Sequence, residues 1–296
     1  MTSPLRGILL MVLSMAGFAI EDMCVKLSSA ELPTGEILLI LGVAGTAFFA
    51  ALCRLQGRPG LLTADALHPA VVARNLGEVA GTAGFVLAIT LAELSTATAV
   101  FQALPLAVTL GAAVFLGESV GWRRWSAIAV GFVGVLVVIR PGLDGFQPAA
   151  LWSVLAVAAL ALRDLATRRA PGRIHTLQLA GWGMVAVAVL GAAMLAVTGG
   201  GALPSPFATL CLAAAMTAGF LAYWGLTEAV RIADVSITTP FRYVRLIFAL
   251  MIGWAVFGER PDLLTWVGAA LIVGSGLYTL ARERRSRRLS SIRAAG

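Results

Sequence analysis

The sequence predicts an all-α integral membrane protein, with ten transmembrane helices arranged as two inverted five-helix repeats around a central cavity. Three observations lead to this fold. Apolar residues make up 59% of the chain and charged residues only 12%, with a mean hydropathy of +0.91, whereas soluble domains carry roughly 25% charged residues. The apolar residues form blocks of about 20, the length of a helix that crosses a bilayer. The second half of the chain also repeats the first.

Apolar blocks between polar or Pro/Gly breaks define the predicted spans. The run after Arg6 is taken as a retained first span, because no small-residue cleavage site separates it from Glu21. The loops between the blocks are too short for a separate soluble domain. The ten predicted spans are 7–28, 35–54, 69–92, 95–116, 121–140, 148–168, 176–198, 205–230, 236–257 and 263–282.

Basic residues predict how the spans are oriented. With the N-terminus inside, 15 of the 22 arginines and lysines fall on the cytoplasmic side, three on the opposite side and four within spans. Cytoplasmic loops of membrane proteins carry such an excess of positive charge. We therefore expect a multi-pass protein of a bacterial-type cytoplasmic (inner) membrane, with both termini in the cytoplasm.

The net charge of +7 does not indicate nucleic-acid binding, because the arginines stand at the ends of apolar blocks or in the tail. The three cysteines lie in or beside apolar runs without metal-ligand spacing, so we expect neither disulfides nor a metal site. His68 and His175 stand alone, and no Gly-x-x-x-x-Gly-Lys loop occurs. We expect no cofactor, no enzymatic activity and no ATP-driven transport by this chain.

An internal repeat relates the halves at a lag of 141–142 residues. "LAELSTATA" (91–99) aligns with "IADVSITTP" (232–240), and "FLGE" (115–118) aligns with "VFGE" (256–259). Each half holds five predicted spans, and because five is odd, the second copy enters the membrane from the opposite side. The predicted units are 1–141 and 142–282, followed by a basic cytoplasmic tail, 283–296.

The segment "STATAVFQALPLAVTLGAAVFLGESVGWRRWSAIAVGFVGVLVVIRPG" resembles the EamA domain of the drug/metabolite transporter superfamily. A second copy is "SITTPFRYVRLIFALMIGWAVFGERPDLLTWVGAALIVGSGLY", in which Leu246 replaces Pro105 of the first. The resemblance covers nearly the whole chain. It implies ten helices, cytoplasmic termini and transport of small organic metabolites, since family members export amino acids or carry vitamins and nucleotide-like cofactors.

Charged residues inside predicted spans are candidate functional residues, because a charge in the bilayer usually faces a protein interior or a water-filled cavity. Each could instead form a structural pair. Asp22 is four residues from Lys26, and Asp164 is four from Arg168, so each pair could fix a helix end or act as a gate. The candidates for coupling or gating are Glu21, Asp22, Arg163 and Asp164.

Two neighbouring arginines with a tyrosine, Arg242, Arg245 and Tyr243, suit a carboxylate or phosphate on a flat substrate. The ion-pair candidates Arg74 and Glu78 could contact substrate or proton, or form a buried bridge. The remaining aromatic candidates could line a cavity or could serve only in packing. The further substrate-binding candidates are Gln102, Trp182, Tyr223 and Trp224, whereas Glu118 and Glu259 are interpreted as structural helix ends.

These observations predict a secondary transporter that works by alternating access, with an exporter of amino acids or related compounds as the leading interpretation. The alternative is an uptake carrier for an anionic or aromatic nutrient, such as riboflavin or a nucleotide-like cofactor. The expected partners are a small-molecule substrate and the lipid bilayer, with protons as candidate coupling ions and a monomer or homodimer as the assembly. An intramembrane enzyme or a scaffold fits the sequence less well.

Overall fold

The computed structural model describes residues 3–117, 121–143, 146–199, 201–232 and 238–295, and every regular element within these ranges is helical. Glu118 and the repeat positions 233–237 lie outside them. The helices are α1 Ser3–Ser28, α2 Thr34–Leu55, α3 Pro69–Leu91, α4 Leu94–Phe101, α5 Leu104–Phe115, α6 Trp122–Ile139, α7 Leu151–Arg168, α8 Thr176–Thr198, α9 Pro206–Ile232, α10 Val244–Phe257 and α11 Leu263–Ala295.

Nine segments among the described residues are long and apolar enough to cross a membrane. The third predicted span forms α3, a helix of 23 residues, but it is not one of the nine. Arg74, Asn75 and Glu78 fall in its first half and make it more polar than its neighbours. The chain is therefore a multi-pass helical protein, and the count of ten spans stays a prediction.

The α-helix is interrupted in two of the predicted spans, in the middle of one and near the start of the other. The fourth predicted span divides into α4 and α5, with Pro105 in the first turn of α5. Its counterpart in the second half begins with a 3₁₀ turn, Thr239–Tyr243, that contains Pro240 and leads into α10. Proline lacks the N–H that an α-helix needs, and irregular backbone at membrane depth is tolerated where it is buried in protein or lines a cavity.

The helices pack in pairs that join the two halves of the chain. α1 packs on α9, α2 on α8, α3 on α7 and α6 on α11, while the short helix α4 contacts α10 near the centre. α3 and α7 run antiparallel, since Gly77 lies against Arg163 and Gly84 against Trp152.

Glycines set the distance between α2 and α8. A Cβ on Gly191 would lie 2.6 Å from the carbonyl oxygen of Gly35 and would also meet the backbone of Leu39. A Cβ on Gly42 would lie 2.8 Å from the Cβ of Ala188. Small residues let the backbones of membrane helices approach closely, where dispersion contacts replace the missing hydrophobic driving force.

Gly191→Ala should therefore destabilise the protein by about 1–3 kcal/mol, since the added methyl group meets backbone that cannot rotate away. Gly274→Ala is the matched control, because Gly274 is also helical but has open space around it, so alanine should be neutral or stabilising there. Thermal unfolding of the purified protein in detergent compares the two variants. Equal melting temperatures would contradict a tight α2–α8 contact.

Candidate functional site

A cavity of about 480 Å³ lies between the two halves of the chain. Its walls come from α1, α4, α5, α7, the 239–243 turn, α10 and α11. Apolar side chains, including Phe18 and Phe101, make up much of the surface. The polar side chains are predominantly basic, and the charged or amide-bearing ones are Gln102, Arg163, Asp164, Arg168, Arg242 and Arg245.

Arg245, in this wall, forms an ion pair with Asp22. Its guanidinium donates to both carboxylate oxygens of Asp22, at 2.7 and 2.8 Å from Nη2 and 3.2 Å from Nε. The rings of Phe18, Phe85 and Phe101 surround it, with centroids 5.2–5.3 Å from Cζ. Ring faces attract a cation, so the cost of bringing Arg245 into the membrane is offset by one carboxylate and three rings.

Arg242 differs from Arg245. It is exposed in the cavity wall, and within the described part of the chain its guanidinium makes no ion pair or hydrogen bond. Its backbone carbonyl accepts a long hydrogen bond from Nε2 of the buried Gln102, at 3.5 Å. The adjacent Tyr243 packs its hydroxyl against Gly276, where a Cβ would clash, and this buried hydroxyl has no hydrogen-bond partner among the described residues.

A second charged network runs from the cavity into the α3–α7 interface. Glu78 accepts from Arg74 at 2.7 Å and from Arg163 at 3.3 Å, and Arg163 also pairs with Asp164 at 2.9 Å. A side chain on Gly183 of α8 would collide with the guanidinium of Arg74. Arg163 and Asp164 line the cavity, whereas Arg74 and Glu78 lie behind them.

Besides Arg74, Glu78 and Asp22, which lie behind the wall, four of the predicted site residues are not part of the cavity lining. Trp182 is buried and donates from Nε1 to the carbonyl oxygen of Leu61 at 2.6 Å, in a small apolar cluster. Tyr223 packs edge-on against Phe49, and Trp224 is exposed on the outside of the bundle. Glu21 lies between α1 and α9 against Gly219.

The end of the bundle far from Arg168 is closed by a cluster that we call the latch: Lys26, Glu259, Leu94 and Ser95. Glu259 accepts from the backbone N–H of Leu94 at 2.7 Å, from that of Ser95 at 2.9 Å and from the Ser95 hydroxyl at 2.6 Å. A carboxylate at a helix N-terminus satisfies unpaired N–H groups and favours the helix dipole. Glu259 from the second half thus caps α4 of the first.

Lys26 completes the latch and corrects one expectation. Its Nζ lies 3.1 Å from Oε1 of Glu259 and 2.6 Å from the carbonyl oxygen of Ala92, at the C-terminal end of α3. It does not pair with Asp22, as the spacing on α1 suggested, because Arg245 offers Asp22 a bidentate contact. The expected pair between Asp164 and Arg168 is also replaced, because Asp164 pairs with the adjacent Arg163.

Sequence reasoning missed the capping role of Glu259 and the three rings around Arg245. The signal for Glu259 was present, because it recurs at the same place in both halves and the chain breaks before Leu94. No sequence signal places Phe18, Phe85 and Phe101 around one arginine, since they come from three different helices and Arg245 from a fourth in the other half of the chain.

The comparisons with known proteins agree with this architecture. The model of the EamA-like transporter family matches residues 5–140 and again 147–281. A solved crystal structure is similar in fold, with a TM-score of 0.59 over 91% of this chain and 98% of that one, at 21% identity. The chain therefore belongs to the EamA-like transporter family, within the drug/metabolite transporter superfamily.

Named relatives divide by substrate. The chain is 31% identical to the riboflavin transporter of Rhizobium johnstonii, covering 95% of this chain and 93% of the relative. It is 27% identical to the S-adenosylmethionine uptake transporter of Rickettsia prowazekii, covering 95% of each. It is 28% identical to the pseudopaline exporter of Pseudomonas aeruginosa, covering 90% and 93%. These names support a transporter of the bacterial inner membrane, but they give no support to amino-acid export.

The latch should make the free energy of unfolding depend on pH in the acid range. Burial raises the pKa of Glu259, but the hydrogen bonds from Ser95 and Leu94 and the charge of Lys26 outweigh it, so its pKa lies below the ordinary 4.5. A lowered folded-state pKa means that this stabilisation is present above pH 4.5 and is lost as the pH falls through the lowered value. Glu259→Gln should cost about 1–3 kcal/mol at neutral pH and remove this portion of the acid dependence.

Melting temperatures of wild type and variant across an acid series measure this effect. Glu31→Gln is the control, since Glu31 is an exposed carboxylate beyond the end of α1. An unchanged acid dependence in Glu259→Gln would contradict the latch.

Proposed function

We propose that the protein is a secondary transporter that imports a flat heteroaromatic nutrient rich in hydrogen-bond acceptors, with riboflavin as the specific substrate. The single observation that carries this proposal is the guanidinium of Arg242. It stands exposed in a cavity with aromatic walls and has no ion-pair partner among the described residues. A cation left free at such a place suits the carbonyl, carboxylate or phosphate oxygens of a ligand.

The pairing of helices between the two halves supports a transporter in which two inverted repeats give alternating access to a central cavity. If each helix of the first half is exchanged for its counterpart in the second, the α1–α9 pair becomes α7–α3, and the α1–α10 contact becomes α7–α5. The α2–α8 and α6–α11 contacts map onto themselves. The double match to the family model supports the same division, and a two-fold relation of this kind underlies rocking of two halves around a central site.

The proposed orientation makes this conformation open to the cytoplasm. The excess of basic residues places the termini inside. The cavity then reaches the cytoplasmic end of the bundle at the exposed Thr167 and Arg168 in the last turn of α7. The latch lies at the opposite end, where α1, α3 and α10 finish, so it closes the outer side.

The charge of the cavity lining favours a flavin over S-adenosylmethionine. A volume of about 480 Å³ is within the roughly 300–1,000 Å³ of small-molecule pockets. An isoalloxazine ring could lie between apolar surfaces such as Phe18 and Phe101 while its carbonyl oxygens accept from Arg242. S-adenosylmethionine carries a sulfonium cation, which the basic lining would repel. The amino-acid exporter interpretation has no such observation in its favour.

Counterflow in proteoliposomes tests the proposal. Purified protein should exchange external labelled riboflavin for internal unlabelled riboflavin without any ion gradient, and S-adenosylmethionine should not compete. Arg242→Gln should weaken apparent affinity at least tenfold, because a hydrogen bond to a charged group contributes about 1.5–3 kcal/mol. Arg58→Gln is the matched control, since Arg58 is exposed in the loop after α2.

Absence of riboflavin counterflow would refute the substrate. Exchange that is equally strong in Arg242→Gln would refute the role of this arginine, and competition by S-adenosylmethionine would show that the cavity accepts a cation.

A further inference from the structure

We propose that protons are co-transported with the substrate, one for one, with Asp22 as the proton site and Arg245 as the group that links proton to substrate. This inference rests on the proposed function, because it assigns the coupling ion of the same cavity. It starts from the contrast between the two arginines: Arg242 is free of ion pairs within the described ranges, and Arg245 is held by Asp22.

The Asp22–Arg245 pair is isolated from water on one side and open to the cavity on the other. The side chain of Asp22 is 6% exposed and that of Arg245 is 14% exposed. Arg245 lines the cavity and Asp22 lies behind it. A ligand that draws the guanidinium toward the cavity must therefore take it from Asp22.

Among the described residues, the groups around Asp22 offer no second cation. From α10 it faces Arg245, and from its own helix Glu21. The nearest other cation on α1, Lys26, is bound to Glu259 in the latch. The aromatic Phe85 and Phe101 reach this region from α3 and α4. The thiol of Cys24, also on α1, lies near Glu21 and near Cys211 of α9.

Glu21 makes the charge count uneven. Its carboxylate lies against Gly219, where a Cβ would approach it to 2.7–2.8 Å, and it forms no ion pair among the residues that the structure describes. The positions at the same lag, in the α3–α7 interface, hold Arg163 and Glu78, which pair with each other. Among the described residues, this part of α1 thus has two adjacent carboxylates and one arginine, which comes from α10, and a proton is the remaining means of neutralising the second negative charge.

These contacts define a transport cycle in which proton and substrate bind together. In the outward-open state a proton from the external water binds a carboxylate oxygen of Asp22, which loses its charge and releases Arg245. The guanidinium then donates to acceptor oxygens of the substrate. After the cavity opens to the cytoplasm, the substrate leaves, Asp22 gives its proton to cytoplasmic water, and the ion pair forms again. Each cycle moves one proton and one substrate inward.

Accumulation in proteoliposomes tests this linkage. With the membrane potential clamped to zero and the outside one pH unit more acidic, a one-proton symporter should accumulate riboflavin up to about tenfold, because one pH unit corresponds to a tenfold ratio. Addition of riboflavin should acidify the lumen, as recorded by a trapped pH-sensitive dye. At whatever counterflow rate Asp22→Asn retains, it should show an accumulation ratio near one and no acidification. Asp65→Asn, in the loop between α2 and α3, should behave as wild type.

Each result is decisive. Wild-type counterflow without accumulation or acidification would overturn the proton linkage while leaving the carrier proposal intact, and alkalinisation of the lumen would overturn symport. Full accumulation by Asp22→Asn would remove Asp22 as the proton site.

An infrared titration of the purified protein needs no substrate and decides the proton site if riboflavin is not exchanged or the variant is inactive. On acidification, the difference spectrum between wild type and Asp22→Asn should contain a protonated-carboxyl band, because the other carboxyl groups of the chain are common to both proteins. An identical band in both proteins would overturn the assignment.

Discussion

The structure depends on one constraint: a charge within the membrane must be compensated by another group of the same protein. The chain meets this constraint both within single helices and between them. Asp22 of α1 binds Arg245 of α10, and Glu78 of α3 binds Arg163 of α7, while Glu259, just beyond α10, binds the start of α4. These three contacts join separate helices, so interactions that make charges tolerable also hold the bundle around its cavity.

Two interfaces between the halves meet the constraint differently. At corresponding positions, the α3–α7 interface contains a complete ion pair and the α1–α9 interface contains Glu21 against a glycine. A transporter needs one side of its cavity to respond to ligands while the other side stays in place. The paired Arg163–Glu78 side suits a fixed wall, and the α1 side, with its excess of carboxylates, suits the responsive one.

The sequence was sufficient to predict a helical multi-pass membrane protein and the approximate position of its helices, because hydropathy acts locally. It could not assign partners. The four-residue spacing of Asp22 and Lys26 indicated a pair on one helix, but a bidentate arginine from α10 and a carboxylate next to α4 satisfied these two groups better. The partner of Trp182 could not be predicted either, because its indole N–H donates to the carbonyl oxygen of Leu61, in a loop far away in the chain.

The latch has a consequence for how this protein tolerates mutation. Two of the four donors to Glu259 are backbone N–H groups, of Leu94 and Ser95, and the other two are the Ser95 hydroxyl and Nζ of Lys26. Any residue other than proline supplies the backbone pair, and the acceptor is a single side chain. A substitution at the start of α4 therefore removes at most one side-chain donor, whereas a substitution at position 259 removes the acceptor of all four hydrogen bonds.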